Sequence, residues 1–283
     1  MSALNKLVDL VGNNMPSIPS VVSELQEIMD NDFFSTTDVE ELISRDPALT
    51  IRILKTANSP AYGLSRQIDS VSQALMLLGT AEIRDIVFGT SFVKSLNQLK
   101  VDQIDMPAFW KHSIACGLCS RYLASKVDAN KAEGFFIAGL LHDIGRLMMA
   151  KIFPDQYKQA IELSHSEKIS IIEAERKIFK LDHATLADAI LKQWRMPMKL
   201  RNIVTWHHLP AQSKDFEKDV TIVHLADATV EALEIGTSGE PLIDLQSNAT
   251  MQKYVNSNVL AESIEEIETL VEVASGSLLD ATA

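Results

Sequence analysis

The chain has 283 residues, and its 46% hydrophobic content is enough to build the core of one large domain or two modest ones. The formal net charge of −12 disfavours nucleic acid and anionic membranes as partners, because both would repel an acidic protein. The sequence has no run of eighteen uninterrupted apolar residues and no signal-peptide pattern, and its only cysteines are Cys116 and Cys119. We therefore predict a cytoplasmic protein without a disulfide framework.

Helical periodicity recurs through almost the whole chain, and alternating strand patterns closed by tight turns are absent, so we predict an all-α fold. Three helix starts carry capping signals, namely the box Thr37 to Glu40, the pair Asp46-Pro47, and Ser70. Gly79 is predicted to end the short helix that begins at Val71. Residues 1–100 are thus predicted to form a compact N-terminal lobe of short helices.

A loop from Lys100 to Pro107 is predicted to lead into a second helical lobe, an HD-like metal-site lobe over residues 101–235. Its predicted helices cover 109–127, 133–142, 155–164, 169–179, 184–193, 199–206 and 218–235. Residues 236–283 are predicted to be an acidic C-terminal helical extension, in which a glycine- and proline-containing loop over 236–241 precedes a helical tail from Tyr254. The tail has acidic and no basic side chains, which indicates a solvated helical face, with a partner-docking helix as the alternative.

Five of the seven histidines stand in contexts that indicate one site. They are His112, His142, His183, His207 and His208. Imidazole nitrogens combined with carboxylate oxygens suit Fe, Mn, Zn or Mg better than a thiolate-preferring metal. The pair His142-Asp143 follows the apolar run 135–141, so we expect a buried helix end, where a bound cation would offset the cost of burying the carboxylate. Gly145 is predicted to supply that helix end.

The order of His112, His142-Asp143 and Asp227 resembles the H…HD…D pattern of the HD superfamily. The upstream part resembles the HDOD subgroup in four segments: 15–19 (MPSIP), 43–50 (ISRDPALT), 57–63 with its ANS and YG groups, and 74–79 with its AL and LG pairs. The likeness runs from residue 15 to about residue 230. It implies an HD-domain-like helical bundle with an N-terminal helical lobe.

The resemblance also implies ligands for one or two divalent metal ions. Those of a first metal would be His112, His142, Asp143 and Asp227. His183, His207 and His208 match positions that complete a second metal site in the related HD-GYP phosphodiesterases. Paired ions in such a site activate water for attack on phosphorus.

Three departures from the HD-GYP pattern bear on catalysis. Arg146 stands where that pattern has lysine, and Ala108 stands where it has a carboxylate. No Gly-Tyr-Pro tripeptide follows His208, after which the chain reads LPAQ. A guanidinium can clamp phosphate through two oxygens but does not copy a compact ammonium donor. Hydrolysis of cyclic dinucleotides is therefore disfavoured.

Two functions are open at this point. In the first, which we favour, the protein is an HDOD-type signal-transduction or regulatory protein that acts through a partner protein, because a shared fold does not by itself establish catalysis. In the second, it is a metal-dependent phosphohydrolase acting on a small phosphate ester or nucleotide. There Asp143 would hold the ion, and Arg146, with His183 or His208, would steady the developing charge.

Other chemically active residues have simpler interpretations. The C-x-x-C that begins at Cys116 lies inside a predicted helix, so core packing is favoured and a redox or auxiliary metal role is the alternative. His224 stands three residues before Asp227 and could support it, although a structural histidine is the favoured interpretation. His165 is predicted to be a surface loop residue.

Overall fold

The computed structural model describes residues 16–31, 33–58, 67–128, 132 and 134–237, together with the helical residues Ile264, Ile267 and Val271. The regular structure of these residues is helical and includes no strand, which confirms the predicted all-α class. Most of the predicted 236–241 loop and of the acidic tail from Tyr254 lies outside the described residues. Among the helices that are described, none has the length and apolar character needed to cross a membrane.

The described residues form two compact units, one over 17–98 that includes Val271, and one over 99–237 that includes Pro16, Ile264 and Ile267. The N-terminal unit, described over 17–98, contains α1 (Ser20–Met29), α2 (Thr36–Ser44), α3 (Pro47–Ala57) and α4 (Val71–Leu96). The C-terminal unit, described over 99–237, contains α5 (Met106–Val127), α6 (Phe135–Leu141), α7 (Ile144–Ile152), α8 (Pro154–Glu167), α9 (Ile171–Phe179), α10 (His183–Gln193), α11 (Met198–Trp206), a 3₁₀ turn (Pro210–Gln212) and α12 (Glu217–Ala232).

The N-cap of α2 is Ser35, two residues before the predicted cap, so that prediction is wrong. The Ser35 hydroxyl accepts a hydrogen bond from the Asp38 backbone amide, and the Asp38 carboxylate accepts one from the Ser35 amide. Thr37, the predicted cap, lies inside the first turn. The sequence offers two overlapping boxes, and the earlier one satisfies the free amides of the helix start.

The other two predicted starts in the N-terminal unit are confirmed. The Asp46 carboxylate accepts hydrogen bonds from the Ala48 and Leu49 amides at the start of α3. The Ser70 hydroxyl accepts one from the Gln73 amide at the start of α4. Gly79 breaks α4 as predicted, since its φ of 81° lies in the left-handed region that side-chain-bearing residues rarely adopt. Helical structure then resumes and continues to Leu96.

Helix α5 starts three residues earlier than predicted, because the predicted loop contains its capping signal. The Asp105 carboxylate accepts a hydrogen bond from the Ala108 amide, and Pro107 occupies the first turn, where its missing N–H costs nothing. Within the C-terminal unit, α5 packs against α6 and α12, while α10 packs against α7 and α11. These contacts bring the helices that carry the five predicted site histidines around one buried centre.

Candidate metal centre

The pair His142-Asp143 lies at the junction of α6 and α7. All seven residues of α6 are buried, and α7 begins immediately after Asp143, at Ile144. The predicted role of Gly145 as a helix end is therefore wrong, because this glycine lies inside α7. A Cβ at Gly145 would collide with the backbone carbonyl oxygen of His183. Glycine thus allows α7 to approach the start of α10, which places His183 beside Asp143.

The structure brings all seven predicted ligands together in two groups, within each of which the ligand atoms lie no more than 4.8 Å from one another. The first cluster consists of His112, Cys116, His142 and Asp227. The second cluster consists of Asp143, His183, His207 and His208. Asp143 contacts both clusters, since its Oδ2 lies 3.6 Å from His142 Nε2 and its Oδ1 lies 3.2 Å from His183 Nε2.

In the first cluster, side chains from three places in the sequence converge. His112 Nε2 lies 3.0 Å from Asp227 Oδ1, which joins α5 to α12. His142 Nε2 approaches the same Asp227 oxygen at 3.6 Å from the α6–α7 junction. Burial opposes protonation of His112, but the Asp227 carboxylate outweighs that effect and raises the pKa of His112. The two groups form a buried charge-assisted pair when no cation lies between them.

The second cluster is organised by His183 at the first position of α10. His183 Nδ1 lies 2.8 Å from Glu175 Oε2, while its Nε2 lies 3.0 Å from His208 Nε2. Glu175 is completely buried and also accepts a hydrogen bond from the His183 backbone amide at 2.9 Å. A carboxylate that accepts the Nδ1 proton fixes the orientation of the imidazole and directs Nε2 into the cluster, as in many histidine metal sites.

Two imidazoles in the centre are already held in the form that binds metals. His142 Nδ1 lies 2.6 Å from the carbonyl oxygen of Gly139, and His207 Nδ1 lies 2.6 Å from that of Val204. Each Nδ1 therefore carries a proton and donates it, so each Nε2 presents a lone pair. Neither Nε2 atom has a hydrogen-bond partner among the described residues, although both are buried. Buried unsatisfied acceptors are costly, and a divalent cation bound at either Nε2 atom would satisfy it. The residues of the centre therefore fit a divalent cation.

Arg146 is buried against Asp143 and does not extend towards solvent. One of its terminal nitrogens donates to Asp143 Oδ2 at 3.1 Å, and its Nε donates to the Tyr157 hydroxyl at 2.9 Å. Burial opposes ionisation of Asp143, but His142 and Arg146 outweigh it and hold the pKa of that carboxyl well below its usual range. The guanidinium thus fixes the carboxylate that joins the clusters.

The HDOD family model matches residues 15–210, which is more than half of the chain. The chain belongs to the HDOD family. An uncharacterised protein of Treponema pallidum (strain Nichols) is 22% identical over 232 residues, which cover 81% of this chain and 45% of that protein. Uncharacterised YuxH of Bacillus subtilis (strain 168) is 46% identical over 114 residues, which cover 40% of this chain and 27% of YuxH. The HDOD chain thus spans less than half the length of these two curated relatives.

Solved structures share the HDOD fold over nearly the whole chain. An HDOD domain protein of unknown function from Geobacter sulfurreducens has a TM-score of 0.80 at 23% identity, covering 95% of this chain and 98% of that chain. A Shewanella amazonensis protein, provisionally named a phosphohydrolase, has a TM-score of 0.78 at 20% identity, covering 98% of both chains. A Marinobacter aquaeolei protein, provisionally named a signal transduction protein, has a TM-score of 0.74 at 19% identity, covering 94% of this chain and 60% of that chain.

The sequence of the HDOD chain did not indicate one residue of the site, Glu175, and favoured a different role for another, Cys116. Glu175 carries no local signal, because an acidic residue in the stretch EAERK is typical of a solvated helical face. For Cys116, core packing was the favoured interpretation and an auxiliary metal role the alternative, and its spacing of four residues from His112 places both on one helical face. His224 is buried and hydrogen-bonds to the backbone of His207, so it supports a metal-cluster residue. His165 is exposed, as predicted, but lies within α8 and not in a loop.

Glu175→Gln is expected to lower metal affinity by about 10–100-fold, because partners that orient metal-binding histidines have effects of that size. The amide would keep the volume of the carboxylate but not the charge that orients His183. Titration calorimetry with Zn²⁺ or Mn²⁺ would measure the change. Glu173→Gln is the matched control, since Glu173 lies on the same helix but is exposed and caps its start. Equal affinities in both variants would contradict a role for Glu175.

Asp227→Asn is expected to weaken the dependence of stability on pH in the acidic range, measured for the metal-free protein. Burial opposes ionisation of Asp227, but its hydrogen bond with His112 outweighs burial and holds the pKa far below the usual range. The unfolded chain, with an aspartate pKa of about 3.9, therefore takes up the proton first, and stability falls as the pH drops below about 4. Urea unfolding between about pH 3 and pH 5 measures this slope. Parallel slopes in wild type and variant would contradict the assignment.

Proposed function

We propose that this chain is a regulatory HDOD protein whose C-terminal unit binds one or two divalent metal ions. The observation that supports metal binding is the pair of buried Nε2 atoms on His142 and His207. Each of these imidazoles donates its Nδ1 proton to a backbone carbonyl. The surrounding nitrogen and carboxylate donors suit Fe, Mn or Zn, with Mg as the weakest match. A bound ion would supply Lewis-acid chemistry and would lower the pKa of water.

The burial of the centre favours a regulatory role for the protein over a catalytic one. His112, His142, His183 and His207 each have 0% exposure, and Asp143 has 1%. A cation enclosed to this degree stabilises the fold that surrounds it, because its ligands are positioned only in the folded chain. The Arg146 guanidinium, the predicted phosphate clamp, is directed at Asp143 and Tyr157.

A partner protein is part of this proposal. Several large apolar side chains of the N-terminal unit are exposed, including Phe33 at 93%, Met76 at 76% and Ile51 at 65%. Large apolar side chains are the kind of surface that protein partners cover. The N-terminal unit would therefore meet the partner, while the metal centre stabilises the C-terminal unit.

One observation favours the second candidate, a metal-dependent phosphohydrolase. The Asp143 carboxylate contacts both clusters through different oxygens, and a carboxylate between two cation sites is typical of paired-metal phosphate chemistry. The substrate would be a small phosphate ester or nucleotide. Asp143 would hold the cations, and His208, which is half-buried, lies where the centre approaches solvent.

The proposed metal binding is tested by thermal unfolding of chelator-treated protein with and without added Zn²⁺, Mn²⁺ or Mg²⁺. At a metal concentration 100 times the dissociation constant, the folded state gains about 2.7 kcal/mol, which raises the Tm by several degrees. Adding excess chelator is expected to reverse the shift. A Tm unchanged by every ion would contradict the proposal.

A further inference from the structure

The thiol of Cys116 faces the first cluster. This residue follows His112 by four positions on α5, so both side chains lie on one face of the helix. Cys116 Sγ lies 3.3 Å from His112 Nε2 and 3.8 Å from Asp227 Oδ1. The side chain is completely buried. A thiol packed between an imidazole and a carboxylate is not in the apolar surroundings that core packing would favour.

A second, independent feature points to a cation at the same place. The Nε2 atom of His142 is buried, lacks a hydrogen-bond partner among the described residues, and lies 3.6 Å from Asp227 Oδ1. It therefore directs a lone pair into the same cluster as the sulfur. Cys119 provides the contrast, since it is equally buried, lies three residues farther along α5, and belongs to neither cluster.

We infer that Cys116 is a metal ligand and that the first cluster is a mixed site of one sulfur, two nitrogens and one oxygen. This inference rests on the proposed metal centre and specifies its chemistry. On binding, the S–H bond of Cys116 is replaced by a metal–sulfur bond, and the proton passes to solvent. A thiolate selects Zn²⁺, Fe²⁺ or Co²⁺ over Mg²⁺, which prefers oxygen donors. The second cluster, with three imidazoles and a carboxylate, lacks this sulfur.

The test uses the full chain, stripped with a chelator and loaded with Co²⁺. A cobalt–thiolate bond produces an intense near-ultraviolet charge-transfer band, whereas nitrogen and oxygen ligands do not. Wild type and Cys119→Ser are expected to show the band, and Cys116→Ser is expected to lose it while retaining cobalt in the second cluster. A wild-type protein that binds cobalt without the band would overturn the role of Cys116 and leave the metal centre standing. A protein that binds no cobalt would overturn both.

X-ray absorption of the zinc-loaded wild type makes the test independent of how the variants fold. A sulfur ligand contributes a shell at about 2.3 Å, distinct from the nitrogen and oxygen shell at about 2.0–2.2 Å. We expect the sulfur shell in the wild type and in Cys119→Ser. A wild-type spectrum that is fitted by nitrogen and oxygen ligands alone, without a sulfur shell, would overturn the inference.

Discussion

Replacing His142 with alanine is expected to remove most of the metal from the first cluster, together with the stabilisation that this metal gives. His142 Nε2 is the unsatisfied lone pair that faces Asp227, and alanine offers no donor in its place. In wild type, a metal at 100 times its dissociation constant contributes about 2.7 kcal/mol to folding. The Tm difference between Zn²⁺ and chelator should therefore be smaller in the variant than in wild type, because only the second cluster can still bind metal.

The comparison of each variant with and without metal separates coordination from simple packing. His142→Ala also removes the hydrogen bond to Gly139, which lowers stability whether or not metal is present. His165→Ala is the control, since His165 is exposed on α8 and should keep both its metal content and its metal-dependent Tm shift. Full metal content in His142→Ala would show that the cluster is misassigned.

Asp143→Asn is expected to abolish any metal-dependent phosphate hydrolysis. If the second candidate function holds, the wild type should slowly hydrolyse generic aryl phosphate esters and leave cyclic dinucleotides intact. The asparagine keeps the shape of the side chain but removes the charge that faces both clusters, so activity should fall by more than about 100-fold. Initial rates with and without added Mn²⁺ or Zn²⁺ measure the effect.

Asp188→Asn is the matched control for that assay, because Asp188 lies in the same unit but pairs with Arg201 away from the clusters. It should retain wild-type activity. Hydrolysis that persists in Asp143→Asn would indicate a contaminating phosphatase. If the metal-loaded wild type hydrolyses no ester in a broad panel, the phosphohydrolase candidate is contradicted and the regulatory proposal stands.

Local signals in the sequence were sufficient for the starts of α3 and α4, but not for those of α2 and α5, which also carry side-chain caps. Asp46 and Ser70 were predicted as caps because each satisfies free amides within three residues, which is a property of the local sequence. The helix α7 was missed because Gly145 reads as a terminator in isolation. The reason for a glycine at position 145 lies 38 residues farther along the chain, where the backbone of His183 leaves no space for a Cβ.

The candidate site was predictable only in part, for the same reason. The family resemblance pointed to all seven imidazole and carboxylate groups that the structure brings together. It placed Asp143 with the first metal, whereas the structure groups Asp143 with the second cluster, because its two oxygens face different clusters only after α7 and α10 have packed together. No local sequence pattern indicates Glu175, because its contact with His183 forms only in the folded chain.

The central claim is that a divalent metal occupies the buried centre of the C-terminal unit. It is tested most directly by elemental analysis of the protein purified without a metal-chelating step. We expect one or two equivalents of Zn, Fe or Mn per chain in the wild type, and a clear decrease in His142→Ala. Trace metal in the wild type, equal to that of the variant and not increased by metal in the growth medium, would contradict the claim.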